Sequence, residues 1–301
     1  MPSKLVAIIV PLPSRSELTP DEKISMRHLV HYLGSYDKYL IAPCGTDFRA
    51  EGFSVKSFSS KYFGSMRAHS RLLYSPAFWR AFEDYEYVLM YHLDALVFRD
   101  ELVQWCEAGI DYIGAPFIPC ADTPDVKEPR VGNGGFALMK VESLLRVLHF
   151  RYRSEPLRYW EDCFAGLLSR IQAALRYPRR MTPRWLRGPL TQPLRESLQK
   201  MDDVEVLARN NDKFWSYHAT KYLPDFSVPD WQTGLRFAFE AGPRICYELN
   251  GSQLPFGCHA WPKYDRAFWA PFLLDDPAKH PGVSAPEAPA LSKTSKEALV
   301  R

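Results

Sequence analysis

Two short runs constrain the fold more than any other feature of the chain. Residues 5–10 (LVAIIV) and 87–91 (YVLMY) are continuously apolar, rich in β-branched or aromatic side chains, and too short for a core helix. Such runs suit strands buried on both faces of a sheet, which requires helices above and below it. The intervening sequence supplies them. Thr19-Pro20-Asp21-Glu22 reads as a helix start, with a capping hydroxyl, a proline in the first turn and early acids. That helix would turn Ile24, Leu29 and Leu33 inward and stop at Gly34. Residues 39–42 form the next strand, so the chain opens β-α-β with parallel strands and a right-handed crossover.

The alternation continues. A helical stretch over residues 65–82 is broken at Ser75-Pro76, and the strand at 87–91 ends at His92-Leu93-Asp94. A helix over 102–108 is closed by Gly109, followed by strands at 112–114 and 136–138 and a helix over 142–148. This order indicates an α/β sheet flanked by helices.

Bulk properties exclude some functions. The 301 residues carry a formal net charge of +3, too small for the basic footprint of a nucleic-acid binder, so no nucleic-acid partner is expected. The six cysteines, at 44, 106, 120, 163, 246 and 258, form no C-x-x-C pair and no zinc-like spacing. Residues 1–13 lack the pattern of a signal peptide, and no apolar run approaches the ~18–20 residues that cross a bilayer. The expected location is a reducing cytoplasm with free thiols.

One stretch differs in character. Residues 151–200 contain ten Arg and one Lys against three Glu and one Asp, a net +7 interleaved with Trp160, Phe164, Leu167, Ile171 and Trp185. The pattern reads either as a solvated helical insertion, over 151–205, or as amphipathic helices resting on an anionic membrane surface. Residues 276–301 are rich in Pro, Ala, Ser and Lys without period, the composition of a disordered tail.

Four segments carry residues suited to chemistry. Asp94 follows an apolar strand directly, which puts it at the carboxyl end where open α/β sheets bind ligands; it suits a divalent cation or a cap. Gly132-Asn133-Gly134-Gly135 permits positive φ or close approach of backbone to a sugar, although a tight turn needs the same residues. Asp212, before Phe214-Trp215, suits a general base with a sugar-stacking neighbour, or a cap for a helix over 213–222. His259 and Trp261 suit a metal ligand and a sugar platform, or the core.

Taken in order, YHLDALVF (91–98), GNGGF (132–136), NDKFW (211–215), LRFAFE (235–240) and LPFGCHAW (254–261) resemble one widespread family. It was long described as a domain of unknown function and is similar to GT-A glycosyltransferases. Residues 24–43 (ISMRHLVHYLGSYDKYLIAP) extend the resemblance, which covers most of residues 5–274. It implies a GT-A-like, Rossmann-type mixed sheet flanked by helices, with the basic helical segment as an insertion. A single catalytic domain would then span 1–275, its nucleotide-sugar half at 1–130 and its acceptor half at 131–275.

The resemblance also implies roles. Asp94 stands at the last position of an Asp-x-Asp-like motif whose first acid is replaced by His92. With His259 it would hold Mn²⁺ or Mg²⁺ on the diphosphate of a nucleotide-sugar donor. Pro11 and His92 would contact that donor; from their spacing, Arg67 and Arg71 lie one turn apart on a helix and could both face the diphosphate, although a solvated helix face is the plainer reading of the pair. Asn133, Gly134, Gly135, Trp215 and Trp261 would line the acceptor, a glycan or lipid-linked glycan in polysaccharide or lipopolysaccharide biosynthesis. The family's Glu-Asp pair matches Asn211-Asp212, so Asp212 is the expected base; Glu161-Asp162 imitates the motif and makes Asp162 the alternative. A base there implies inversion at the anomeric carbon. The expected location is then the cytoplasm, with peripheral contact to the inner membrane face through residues 151–200.

Two other classes compete. A sugar nucleotidyltransferase would place a Gly- and Lys-rich loop after the first strand, where Pro11-Leu12-Pro13-Ser14-Arg15 stands. A non-catalytic glycan-binding scaffold would fit the replacements at His92 and Asn211, and would bind sugar without metal-dependent turnover.

Overall fold

The two apolar runs become neighbouring strands at the centre of a six-stranded sheet. The computed structural model describes residues 2–13, 15, 17–154 and 211–274. In chain order the first elements are β1 (Lys4–Pro11), α1 (Pro20–Leu33), β2 (Asp37–Pro43), β3 (Ser54–Phe58), α2 (Met66–Leu73) and α3 (Pro76–Arg80). Next come β4 (Tyr85–Tyr91), β5 (Leu96–Val97), α4 (Leu102–Glu107), β6 (Tyr112–Gly114), β7 (Pro116–Phe117), β8 (Arg130–Val131), β9 (Phe136–Lys140) and α5 (Val141–Ser154). After residue 210 follow α6 (Asn211–Lys213), α7 (Trp231–Phe237), β10 (Ala238–Phe239), α8 (Pro243–Leu249), β11 (Gly257–Cys258) and α9 (Arg266–Trp269).

The sheet order is β3-β2-β1-β4-β9-β6. Pairings among β3, β2, β1 and β4 are parallel, and β9 runs antiparallel to both of its neighbours, so the sheet is mixed, as the resemblance implies. From β1 the chain moves outward to β2 and β3, then returns to β4 on the other side of β1. This reversal opens a crevice at the carboxyl ends of β1 and β4, the place where open α/β sheets bind ligands.

Alternate residues of the central strands enter two separate cores. Ala7, Ile9, Val88 and Met90 face Leu72, Trp79, Leu144 and Trp215. Ile8, Val10, Leu89 and Tyr91 face Leu29 and Leu33 of α1 and Leu102 and Trp105 of α4. Burying one such aliphatic side chain is worth about 1.5–3 kcal/mol, so a one-residue slip in either strand would exchange both cores at once. The third core lies beneath a small sheet, β10-β11-β5, and is built from Leu96, Phe98, Phe239, Trp261 and Trp269.

Local signals explain the helix ends. Thr19 and Glu22 form a reciprocal capping box on α1, with Thr19 Oγ1 accepting from the Glu22 N–H and Glu22 accepting from the Thr19 N–H. Gly34 closes that helix in a right-handed conformation, so no left-handed cap is used there. Ser65 caps α2, and Pro76 opens α3 after the expected break.

The helix expected over 213–222 is replaced by α6, a π-helical turn (Phe214–His218) and a 3-10 turn (Ala219–Lys221). The basic insertion expected over 151–205 begins inside α5. Residues 155–205, with Asp162, and the tail at 276–301 lie outside the described residues. Among the described residues no helix is long and apolar enough to cross a membrane.

Candidate active site

Two sheets deliver their strand ends to one place. β4 ends at Tyr91, and the next residues, His92-Leu93-Asp94, turn at the carboxyl edge: the His92 N–H donates to the Gly135 carbonyl (2.8 Å) and the Ala95 N–H to the His92 carbonyl (2.9 Å). β10 and β11 pair in parallel, with Phe239 opposite Cys258. Glu240 and His259 therefore leave adjacent strands in the same direction, one residue past that pair. β5 holds β11 from the other side, Leu96 opposite Cys258, which brings Asp94 next to His259.

The result is a compact cluster. One ligating atom from each of His92, Asp94 and His259 lies within 4.8 Å of the others. His259 Nε2 is 3.2 Å from Asp94 Oδ1, and His259 Nδ1 is 3.1 Å from Glu240 Oε1. The His92 ring stands edge-on to His259 at 5.4 Å, and His69 of α2 stands edge-on to His92 at 5.3 Å.

The electrostatics divide the histidines by role. Burial, reinforced by His69 and His259, pushes the His92 pKa down to about 3, so its imidazole is neutral. Burial alone lowers His69 to about 4. For His259 burial also acts downward, but its hydrogen bonds to Asp94 and Glu240 outweigh it and raise the value to about 10. Asp94 stays ionised: burial opposes this, and His259 more than compensates. The raised His259 pKa makes its Nε2 the donor across the 3.2 Å to Asp94 Oδ1.

These residues fit a divalent cation. The His92 Nε2 is buried with no hydrogen-bond partner, an orphaned polar atom beside a carboxylate. Two atoms bound cis to one ion at about 2.1 Å stand about 3 Å apart, close to the 3.2 Å between His259 Nε2 and Asp94 Oδ1. Two imidazoles and one carboxylate form a mixed N/O set suited to Mn²⁺-type ions.

Across the edge lies Asp212. A Cβ on Gly134 would meet the Asp212 Cβ at 3.2 Å and the Tyr112 hydroxyl at 3.5 Å, so Asp212 is within contact reach of the glycine turn. Its pKa is raised, first by burial and then by the charge of Glu240, against the Lys213 N–H, which donates to Oδ1. The neighbouring Asn211 amide donates to Ser70 Oγ on α2 (3.3 Å), which ties this segment to the β4 side.

The glycine turn works by close approach. None of Gly132, Gly134 and Gly135 has positive φ, so the expected conformational freedom is unused there. Gly135 lies directly beneath the His259 ring, and Gly132 beneath the Phe117 ring.

Three acceptor assignments are corrected. Trp215 is fully buried between Tyr74, Trp79 and Phe214, with no face left for a sugar. Trp261 is also fully buried, its indole N–H donating to Ser25 Oγ at 3.0 Å and its ring covered by Arg266. Asn133 is 6% exposed and turns its amide oxygen back to the Gly135 N–H (2.9 Å), so it shapes the turn. Among the donor residues, Pro11 ends β1 at the crevice, and Arg67 and Arg71 lie on α2, the helix that carries His69 and Ser70. Glu240 and His69 were not singled out from sequence. Glu240 closes the LRFAFE segment, the one signal that pointed at it; His69 sits between the two arginines.

The fold and this cluster define an α/β protein with a histidine–carboxylate site at the carboxyl edge of a mixed sheet. The chain belongs to the family described as "Protein of unknown function (DUF5672)", whose model matches residues 52–259. His69, His92, Asp94, Gly135, Asp212, Glu240 and His259 all fall inside that span. Among solved structures the chain is similar to the apo form of the glycosyltransferase GlyE of Streptococcus pneumoniae TIGR4, at 14% identity and a TM-score of 0.41, over 92% of this chain and 62% of that one. A comparison with curated proteins gave no match.

Proposed function

We propose that this chain is a metal-dependent glycosyltransferase that moves a sugar from a nucleotide-diphosphate donor to a hydroxyl of a glycan or lipid-linked glycan. The observation that carries the reading is the convergence of His92, Asp94 and His259 at the carboxyl edge of β4, beside the point where the sheet reverses direction. Nucleotides bind at such points, and a carboxylate with two imidazoles, of which His259 would give up its Nε2 proton on binding, suits the cation that accompanies a diphosphate. The sequence resemblance to GT-A glycosyltransferases supports the same reading.

His92, Asp94 and His259 would hold Mn²⁺ or Mg²⁺. When bound, the cation neutralises charge developing on the leaving diphosphate. Asp212 takes the acceptor's proton as the acceptor oxygen bonds to the anomeric carbon, and the nucleoside diphosphate leaves with the electrons of the broken C–O bond. Burial, with the charge of Glu240, raises its pKa and so makes it a stronger base than an exposed carboxylate. An acceptor deprotonated by Asp212 and attacking from the face opposite the leaving group would invert the anomeric centre. Pro11, at the end of β1, would border the nucleotide.

The test is calorimetric titration with nucleoside diphosphates and nucleotide-sugars, with and without Mn²⁺, on wild type and Asp94→Ala. Binding of one nucleotide class that requires both Mn²⁺ and Asp94 supports the reading, and NMR of the product then assigns inversion or retention. Glycan binding with no metal-dependent turnover would replace it with a glycan-binding scaffold.

A further inference from the structure

We infer that Glu240 is a positioning residue for this metal site, holding His259 by its Nδ1–H so that Nε2 is presented to Asp94 and His92. The inference rests on the metal-dependent reading above and adds to it a residue outside the group of His92, Asp94 and His259.

The backbone brings the two together. Because β10 and β11 are parallel neighbours, residues 240 and 259 emerge side by side, and the His259 N–H donates to the Phe239 carbonyl at 2.9 Å. That bond fixes where the His259 side chain starts and leaves the ring free to turn about its own axis. Glu240 Oε1, 3.1 Å from Nδ1, removes that freedom. The side chains of His259 and Glu240 are 14% and 12% exposed, so water competes poorly for the hydrogen bond. Gly135 supplies the remaining constraint by letting the ring lie flat on the backbone of the turn.

Chemistry gives this arrangement a direction. An imidazole that donates from Nδ1 keeps its Nε2 lone pair for a cation, and an ionised acceptor makes that nitrogen a stronger ligand. With the Nδ1 acceptor removed, either nitrogen can face Asp94 and the donor set loses its single orientation. Loss of such an outer partner lowers metal affinity by about 10–100-fold.

The experiment measures Mn²⁺ affinity by electron paramagnetic resonance on the full chain: wild type, Glu240→Gln, Glu240→Ala and Asp94→Asn. Circular dichroism confirms that each variant is folded. The expected result is one Mn²⁺ site in wild type, weakened about 10–100-fold in E240A, and weakened less in E240Q, whose amide oxygen can still accept from Nδ1. E240Q, nearly the same shape as the native residue, keeps the test decisive if E240A fails to fold. Wild-type affinity in both Glu240 variants overturns the positioning role while leaving the metal site standing. Absence of Mn²⁺ binding in wild type, or undiminished binding in D94N, overturns the metal reading and this inference with it.

Discussion

The imidazole of His259 rests on Gly135: a Cβ at residue 135 would fall 2.1 Å from His259 Nε2. No side chain fits there without displacing the ring. Gly135→Ala therefore tilts His259 away from Asp94 and Glu240, which hold it at 3.2 and 3.1 Å. The expected outcome is a drop in Mn²⁺ affinity of about tenfold or more, with a stability loss of about 1–3 kcal/mol from overpacking. Titration of Mn²⁺ by paramagnetic resonance, alongside urea unfolding, measures both. Undiminished affinity would mean that the ring relocates without consequence.

Asp212 makes a separate prediction, because it lies against the glycine turn and outside the cluster of His92, Asp94 and His259. Asp212→Asn is expected to lower turnover by about 10²–10⁴-fold, the range associated with loss of a general base. Affinity for the donor and Mn²⁺ should stay near wild type. A steady-state assay paired with calorimetry separates the two effects, and a parallel loss of donor binding would remove Asp212 from the role of base.

Acid should destabilise the fold through His28. This residue is fully buried, its Nδ1–H donates to the Val97 carbonyl (2.9 Å), and its Nε2 accepts from the Leu274 N–H (3.0 Å). The Nε2 bond requires the neutral ring, and burial, opposed by the bond to Val97, lowers the pKa to about 4 from an ordinary 6.5. The unfolded chain thus binds a proton at a higher pH than the folded one. The stability contribution is fully present above pH 6.5 and is lost as pH falls toward 4. At about 1.4 kcal/mol per pH unit the full loss is about 3 kcal/mol. Denaturation between pH 4 and pH 7.5 should show this slope in wild type and a shallower one in His28→Asn.

Trp215 tests the correction to the acceptor side. As a core residue its change to alanine costs about 3–5 kcal/mol of stability. Trp215→Phe should cost much less, since a ring still fills the space and the buried indole N–H has no hydrogen-bond partner to lose. A sugar platform would show the reverse: near-normal stability with weakened acceptor binding. Thermal melting of the two variants distinguishes these outcomes.

How far the sequence carries follows from burial. Residues 5–10 and 87–91 were legible as strands because both faces are covered, which leaves an unbroken apolar run. β3 was not, because it is an edge strand whose side chains are half-buried or exposed. Asp94 was legible from its place after such a run. Glu240 was not, because the two-residue strands that aim it carry no periodicity of their own. Trp215 and Trp261 misled for a related reason: an aromatic residue beside an acid or a histidine reads alike whether it faces solvent or the core. The glycine turn was legible as a place of close approach, although what approaches Gly135 is the protein's own histidine.

The pairing of β10 with β11 also sets an order of events. The six strands of the main sheet are complete by Lys140, and with them His92 and Asp94 are in hand. The other half of the cluster arrives only when synthesis reaches residues 240 and 259. A ribosome that has released the first 230 residues has delivered the crevice but neither Glu240 nor His259. Among the described strands β11 is the last to be made, and it is the one that carries His259 to the cluster, so a growing chain holds its whole main sheet well before the site is complete.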